Sequence, residues 1–153
     1  MELGFHHVCF TVSDIQRSIK FYREILGLKL MEGPRDVNGE GSNTPIYTGL
    51  PGARLRVALF ELFRGSGIEL IQYLSPQGEK RVNTRRCDVG SAHICFTVDN
   101  AFTVFKRFKA EGVQVVSEPV KDSRGNFMFY FHDPDGYTME ITELKRKGMR
   151  ENP

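Results

Sequence analysis

His7-Val8-Cys9-Phe10-Thr11-Val12-Ser13-Asp14 occurs twice in this chain of 153 residues, returning as His93-Ile94-Cys95-Phe96-Thr97-Val98-Asp99-Asn100. The offset is 93 − 7 = 86 residues; six of the eight positions keep the same or a near-identical side chain, and the other two stay polar. Alternation of bulky apolar with small or polar side chains is the pattern of a half-buried strand. A strand that recurs with its flanks marks a duplicated unit, so the rest of the chain is read against that repeat.

An amphipathic helix pattern follows each copy. Asp14 is placed to cap the first, Ile15, Ile19, Tyr22 and Leu26 fall at i, i+4, i+7 and i+11, and Gly27 sits where a left-handed residue ends a helix. Asn100 caps the second, Ala101, Val104, Phe105 and Phe108 form its stripe, and Gly112 closes it. The glycines are 112 − 27 = 85 residues apart, one fewer than the strands. Strand-like runs come next: Leu28 to Glu32, Leu55 to Phe63 and Ile68 to Tyr73, then Val113 to Ser117, Phe127 to His132 and Tyr137 to Thr142. Each half therefore reads β-α-β-β-β.

The expected fold class is α+β, with paired βαβββ modules forming a cupped, partly closed mixed sheet and helices outside. One domain is expected over 1–153, with module 1 at about 5–74, a linker over 75–90, module 2 at about 91–143 and a polar tail over 144–153 that frays. The first half carries extra residues, roughly Val37 to Ala53, rich in Gly, Asn, Ser and Pro, which suit a surface loop able to cover a cavity. A four-stranded sheet with one helix leaves an apolar face and edges uncovered, so the halves are expected to pair, within a chain or between chains.

Composition narrows the function. Twenty-one Lys and Arg against nineteen Asp and Glu leave a formal charge of +2, far from the positive field of a dedicated nucleic-acid binder. No apolar run approaches the ~20 residues of a membrane span, and the N-terminus has no basic and apolar signal pattern. Cys9, Cys87 and Cys95 are an odd count without CxxC spacing, which argues against a structural zinc site or a disulfide framework and for a reducing, cytoplasmic compartment.

Strand parity singles out four side chains. His7, Cys9 and Thr11 share one face of the first strand while Val8, Phe10 and Val12 share the other, and the repeat sets His93, Cys95 and Thr97 the same way. Glu69 and Glu140 each sit between apolar neighbours in the last strand of their half, aimed at the face opposite them. Taken singly, a strand His is more often hydrogen-bonded than a ligand, and a strand Glu is usually solvated. Both types recurring at equivalent positions favours a divalent metal site with nitrogen and oxygen ligands. His6 falls on the opposite parity and has Ala92 as its counterpart, and His132 is expected at a turn on the surface. Cys9 and Cys95 are expected to line the same cavity.

These residues resemble the vicinal oxygen chelate superfamily, which includes glyoxalase I, methylmalonyl-CoA epimerase, extradiol dioxygenases and the fosfomycin and bleomycin resistance proteins. The resemblance runs from about Phe5 to Glu143, through the two strand copies, Ser18-Ile19-Lys20-Phe21-Tyr22, Leu26-Gly27, Gly67-Ile68-Glu69-Leu70, and Asp133-Pro134-Asp135-Gly136 before Met139-Glu140-Ile141. It implies a dimer binding a small-molecule substrate, and a divalent ion (Ni, Co, Zn, Mn or Fe(II)) held by His7, Glu69, His93 and Glu140. It also implies bidentate binding of neighbouring substrate oxygens by that ion, acting as a Lewis acid on a developing enolate. Glu140 is then the first choice of base and Glu69 the second.

The expected function is a glyoxalase- or epimerase-type isomerase or lyase. The alternatives are an Fe(II) extradiol-type dioxygenase using His7, His93 and Glu140, and a non-enzymatic drug- or metabolite-binding resistance protein. Against the subfamilies the chain departs in several places. Thr11 and Tyr73 stand where glyoxalase I enzymes carry Arg and Asn for glutathione, Leu50-Pro51-Gly52-Ala53 replaces the epimerases' Glu-Gln-Gly-like turn, and Cys9 replaces a Thr favoured in fosfomycin resistance. The linker residues Lys80, Arg81, Arg85 and Arg86 suit either solvent or an anionic substrate.

Overall fold

The computed structural model describes residues 3–37, 43–63, 65–79 and 85–145. Part of the loop expected over 37–53, the linker residues Lys80 and Arg81, and the tail beyond residue 145 lie outside them. The chain forms two compact units, Met1–Asn83 and Thr84–Pro153.

In the first unit β1 (His7–Thr11) leads into α1 (Ile15–Lys20), followed by β2 (Lys29–Val37), α2 (Thr44–Thr48), β3 (Arg54–Phe63) and β4 (Ser66–Ser75). The second contains β5 (Ile94–Thr97), α3 (Ala101–Ala110), β6 (Val120–Lys121), β7 (Phe127–His132) and β8 (Thr138–Glu143). Strand order is β1-β4-β3-β2 in one sheet and β5-β8-β7-β6 in the other. The first strand pairs in parallel with the last, and the remaining pairs are antiparallel. Two four-stranded mixed sheets, each with a helix after its first strand and the first with the additional short α2, are the α+β arrangement that the repeat predicts.

The bulky parity of each sheet is covered by its own helix. Phe10, Phe60, Ile68 and Leu70 are buried with Ile15, Ile19 and Tyr22 of the α1 segment, whose Tyr22 ring lies 6.3 Å from Phe10 and 5.7 Å from Phe60. In the second unit Phe108 lies 6.2 Å from Phe129 and 4.9 Å from Phe131, above buried Met139 and Ile141. Each such side chain contributes about 1.5–3 kcal/mol on burial. With the helices occupying one face, the other face of each sheet is left for the polar parity.

The one-residue slip between the copies has a structural cause. Asp14 accepts from the Gln16 and Arg17 N–H groups, and Asn100 from Thr103, so both helices start as their caps predict. In unit 1 α1 then widens into a π-helical turn over Phe21–Ile25, where the Leu26 N–H reaches back to the Phe21 carbonyl at 3.2 Å. Leu28 closes onto the Tyr22 carbonyl, whereas in unit 2 Val113 closes onto Phe108, one residue nearer. From cap to glycine the count is 27 − 14 = 13 against 112 − 100 = 12, and the π turn takes up the additional residue. Gly27 (φ 72°) and Gly112 (φ 75°) both hold the left-handed conformation that ends a helix.

Two departures concern the edges. The run Val113 to Ser117 is not a continuous strand: Val115 bridges Phe131, the chain bends over residues 116–118, and β6 forms only at Val120. Pro119 has no N–H with which to extend the ladder across the bend. The strand expected over Leu28 to Glu32 extends to Val37 through irregular register at Glu32 and Arg35. Its Gly33 has φ 92°, and a Cβ there would stand 2.4 Å from the Val57 carbonyl oxygen.

The Asp133-Pro134-Asp135-Gly136 turn fixes the register of the last hairpin. Asp133 is buried, and its Oδ1 accepts from the N–H groups of Asp135 (2.9 Å) and Tyr137 (2.8 Å). That closure sets Tyr130 opposite Glu140. In unit 1, Gly67 stands opposite His7, and a Cβ there would fall 2.4 Å from the Phe60 carbonyl oxygen. Gly67→Ala is expected to destabilise the protein by about 1–3 kcal/mol through backbone displacement, read as a lower urea midpoint; an unchanged midpoint would contradict this packing.

Candidate functional site

In unit 1 the parallel pairing of β1 and β4 sets Cys9 opposite Glu69, with His7 on the same face of β1. His7 Nε2 stands 3.5 Å from Glu69 Oε2. Gly67, the register partner of His7, places no side chain between them. His6 does not point away as strand parity predicts. The regular strand begins only at His7, and the two Nδ1 atoms meet at 2.7 Å, one ring carrying the proton and donating it to the other. His7 thereby has its Nδ1 engaged and its Nε2 directed to the carboxylate, the usual way a second imidazole contact orients a ligand.

Unit 2 repeats the pair more tightly. Cys95 stands opposite Glu140 on β8, and His93 Nε2 lies 2.9 Å from Glu140 Oε2. Glu140 is only 8% exposed. A carboxylate this deep is costly unless its oxygens are met by donors or a cation. Thr142, two residues along the same face, donates its hydroxyl to Oε1 at 2.9 Å, and the Cys95 thiol donates to Thr142 Oγ1 at 3.3 Å. A relay from Cys95 through Thr142 thus fixes one carboxylate oxygen, and His93 meets the other.

The alternation of β7 divides its residues between two faces. Phe127, Phe129 and Phe131 meet the aromatic side chains of α3, and Tyr130 faces the other way, opposite Glu140. Its ring stands edge-on to His93 at 5.3 Å, and the Arg86 guanidinium lies 5.4 Å from its centroid. Burial and then the Glu140 carboxylate push the Tyr130 phenol above its usual range, so it stays a donor at neutral pH. His132 belongs to β7 itself, half-buried with its Nδ1 enclosed and without a hydrogen-bond partner, rather than to a surface turn.

The four side chains singled out by the sequence therefore come together as two pairs, one in each unit. Among the described residues no third His, Cys, Asp or Glu joins either pair in a set able to hold an ion. A cavity of about 630 Å³ opens at the ends of β5 and β8, lined by Thr97, Lys121, Phe127 and Glu143, and neither His93 nor Glu140 lines it. Sequence reading set His6 aside on parity and did not single out Tyr130 or Thr142 as members of the site. Thr142 was accessible to parity, since it is two residues from Glu140; Tyr130 depended on the turn closure, and His6 on where the strand starts.

Three comparisons bear on the whole chain. The family model for the Glyoxalase/Bleomycin resistance protein/Dioxygenase superfamily matches residues 4–141. A lactoylglutathione lyase from Salmonella typhimurium is 32% identical over 93% of each chain, and a 2-epi-5-epi-valiolone epimerase from an Actinomyces species is 27% identical over 91% of this chain and 78% of its own. A glyoxalase family protein from Bacillus cereus has a structure that superposes with a TM-score of 0.79 at 26% identity, covering 94% of this chain and 95% of its own.

The thiols give the first test of the site. Burial, then the Glu69 charge and a hydrogen bond to Glu69, push the Cys9 thiol up to about 12, and burial raises Cys95 as well. Both remain protonated donors to their carboxylate networks rather than nucleophiles. In metal-free protein at about pH 8.5 all three cysteines are exposed, yet iodoacetamide is expected to label Cys87 well before Cys9 or Cys95, whose thiols are held protonated, as followed by mass spectrometry. Equal rates at all three would contradict the described thiol contacts.

Proposed function

The chain belongs to the glyoxalase, bleomycin resistance protein and dioxygenase superfamily, and from that premise we propose that it is a metal-dependent isomerase or lyase moving a proton beside a carbonyl of a small oxygenated substrate. The observation that carries this reading is the duplicated pairing of an imidazole with a carboxylate, in equivalent register on the first and last strands of each unit. Relatives that are a lyase and an epimerase support it from the side of chemistry. The assembly proposed is a homodimer. No helix among the described residues is long and apolar enough to cross a membrane.

The donor set suits a first-row divalent ion, since each unit offers an imidazole nitrogen beside a carboxylate oxygen. Glu140 is buried, and among the described residues no Lys or Arg forms an ion pair with it. His7, Glu69, His93 and Glu140 would hold the ion, one of Ni, Co, Zn, Mn or Fe(II). When bound it supplies Lewis acidity to neighbouring substrate oxygens.

The chain's own residues do the proton work in this reading. Thr142 holds Glu140 Oε1 in one orientation, so that Oε2 is the oxygen to take a proton from the carbon next to the carbonyl and return it to the substrate. His93 Nε2 meets Oε2 at 2.9 Å without the ion, and would turn from that contact to the ion when one is bound, freeing Oε2. Tyr130 keeps a protonated phenol beside Glu140 and makes the wall of the site a donor rather than an acceptor. Glu69 is the second base, with Cys9 as its neighbouring donor.

Glu140→Gln is expected to abolish turnover with the fold intact, tested on lactoylglutathione and on the epimerase's valiolone, the compounds that name the relatives, and on related hydroxycarbonyl compounds. Full activity in that variant would discard Glu140 as the base. Thr142→Val is expected to lower kcat by about tenfold or more, within the range typical of acid–base catalysis, while Thr142→Ser keeps most of it. Equal rates for Val and Ser variants would show that the hydroxyl does not orient the carboxylate.

A further inference from the structure

The basic linker noted in the sequence resolves into two different arginines. Arg85 is tied to Asp88, with Nε and Nη2 donating to Oδ1 at 3.1 and 2.9 Å and its backbone N–H donating to Oδ2 at 2.7 Å. The Asp88 N–H returns to the Arg85 carbonyl at 3.0 Å, and Ser91 donates its N–H to Asp88 and its hydroxyl to the Arg86 carbonyl. Residues 85–91 are thus pinned as a closed double turn. The turn neutralises Arg85 and presents Arg86.

Arg86 is directed to the site instead. Its guanidinium lies over the Tyr130 ring at 5.4 Å, and that same ring meets His93 edge-on at 5.3 Å and stands opposite Glu140 on the neighbouring strand. Among the described residues no carboxylate pairs with Arg86. Cation–π attraction positions a guanidinium without using up its N–H donors, which remain a planar fork suited to a carboxylate or a phosphate. It also sets a positive charge beside a site whose buried carboxylate would by itself repel an anion.

We propose that Arg86, seated on Tyr130, binds an anionic group, a carboxylate or a phosphate, carried by the substrate that reacts at His93 and Glu140. The substrate class follows: a hydroxy- or oxo-compound bearing an acidic group. This rests on His93 and Glu140 being the reacting centre, and the experiment separates the two ideas.

The full-length protein is titrated with malonate and, separately, with inorganic phosphate, with and without Zn(II), following the Arg86 Nε resonance and the amides of residues 87–91 by NMR. Both anions are expected to shift these signals, and the tighter of the two identifies the acidic group. Arg86→Ala is expected to weaken the tighter anion by about tenfold or more, the scale of a charge-assisted pair. Arg86→Lys loses less, and Tyr130→Phe, which keeps the aromatic face, stays within about twofold while Tyr130→Leu falls further. Unchanged binding in Arg86→Ala, or no shift in the wild type, would overturn the proposal. Zn(II) affinity is measured on Glu140→Gln in parallel: an unaffected affinity would count against the metal reading alone, while anion binding through Arg86 would persist.

Discussion

A carboxylate shut inside a β-sheet must be answered by donors or by a cation, and Glu140 is the group on which this structure turns. Its burial is deep, its Oε1 accepts from Thr142, and its Oε2 faces His93. Leaving such a group unmet costs several kcal/mol, which is a large share of the stability of a protein this size. The arrangement is kept because the carboxylate's neighbours come from strands whose register is fixed elsewhere: β5 in parallel on one side, and β7 through the Asp133 turn on the other.

The same constraint explains the differences between the two units. Their sheets repeat strand for strand, and Cys9, Glu69 and Leu59 occupy the register of Cys95, Glu140 and Tyr130. Between them the chain varies where variation is harmless to that register. One extra residue is stored in the π-helical turn after α1, and the longer insertion forms the segment that holds α2. The copies part in chemistry at Leu59 against Tyr130 and at Ile71 against Thr142, since at these positions only the second unit presents a phenol, with Arg86 on it, and a hydroxyl that holds its carboxylate.

Much of this was legible in the chain itself. The duplicated strand, the caps Asp14 and Asn100 and the two helix-ending glycines all act over a few residues, and each took the place its local chemistry dictates. Parity within a strand likewise put Glu69 and Glu140 on the faces of His7 and His93. What escaped depends on events that no short window contains. Tyr130 is placed by the closure of a turn three residues on, His6 by the point where a strand becomes regular, and the broken run at Val113 to Ser117 by a bend before Pro119.

X-ray absorption on the Co(II)-loaded protein addresses the central claim most directly, because it reports the ligands of the ion without needing a substrate. The account predicts a shell of nitrogen and oxygen donors containing two imidazoles, with His7→Ala and His93→Ala each removing one. A shell unchanged in both variants, or one dominated by sulfur, would contradict it.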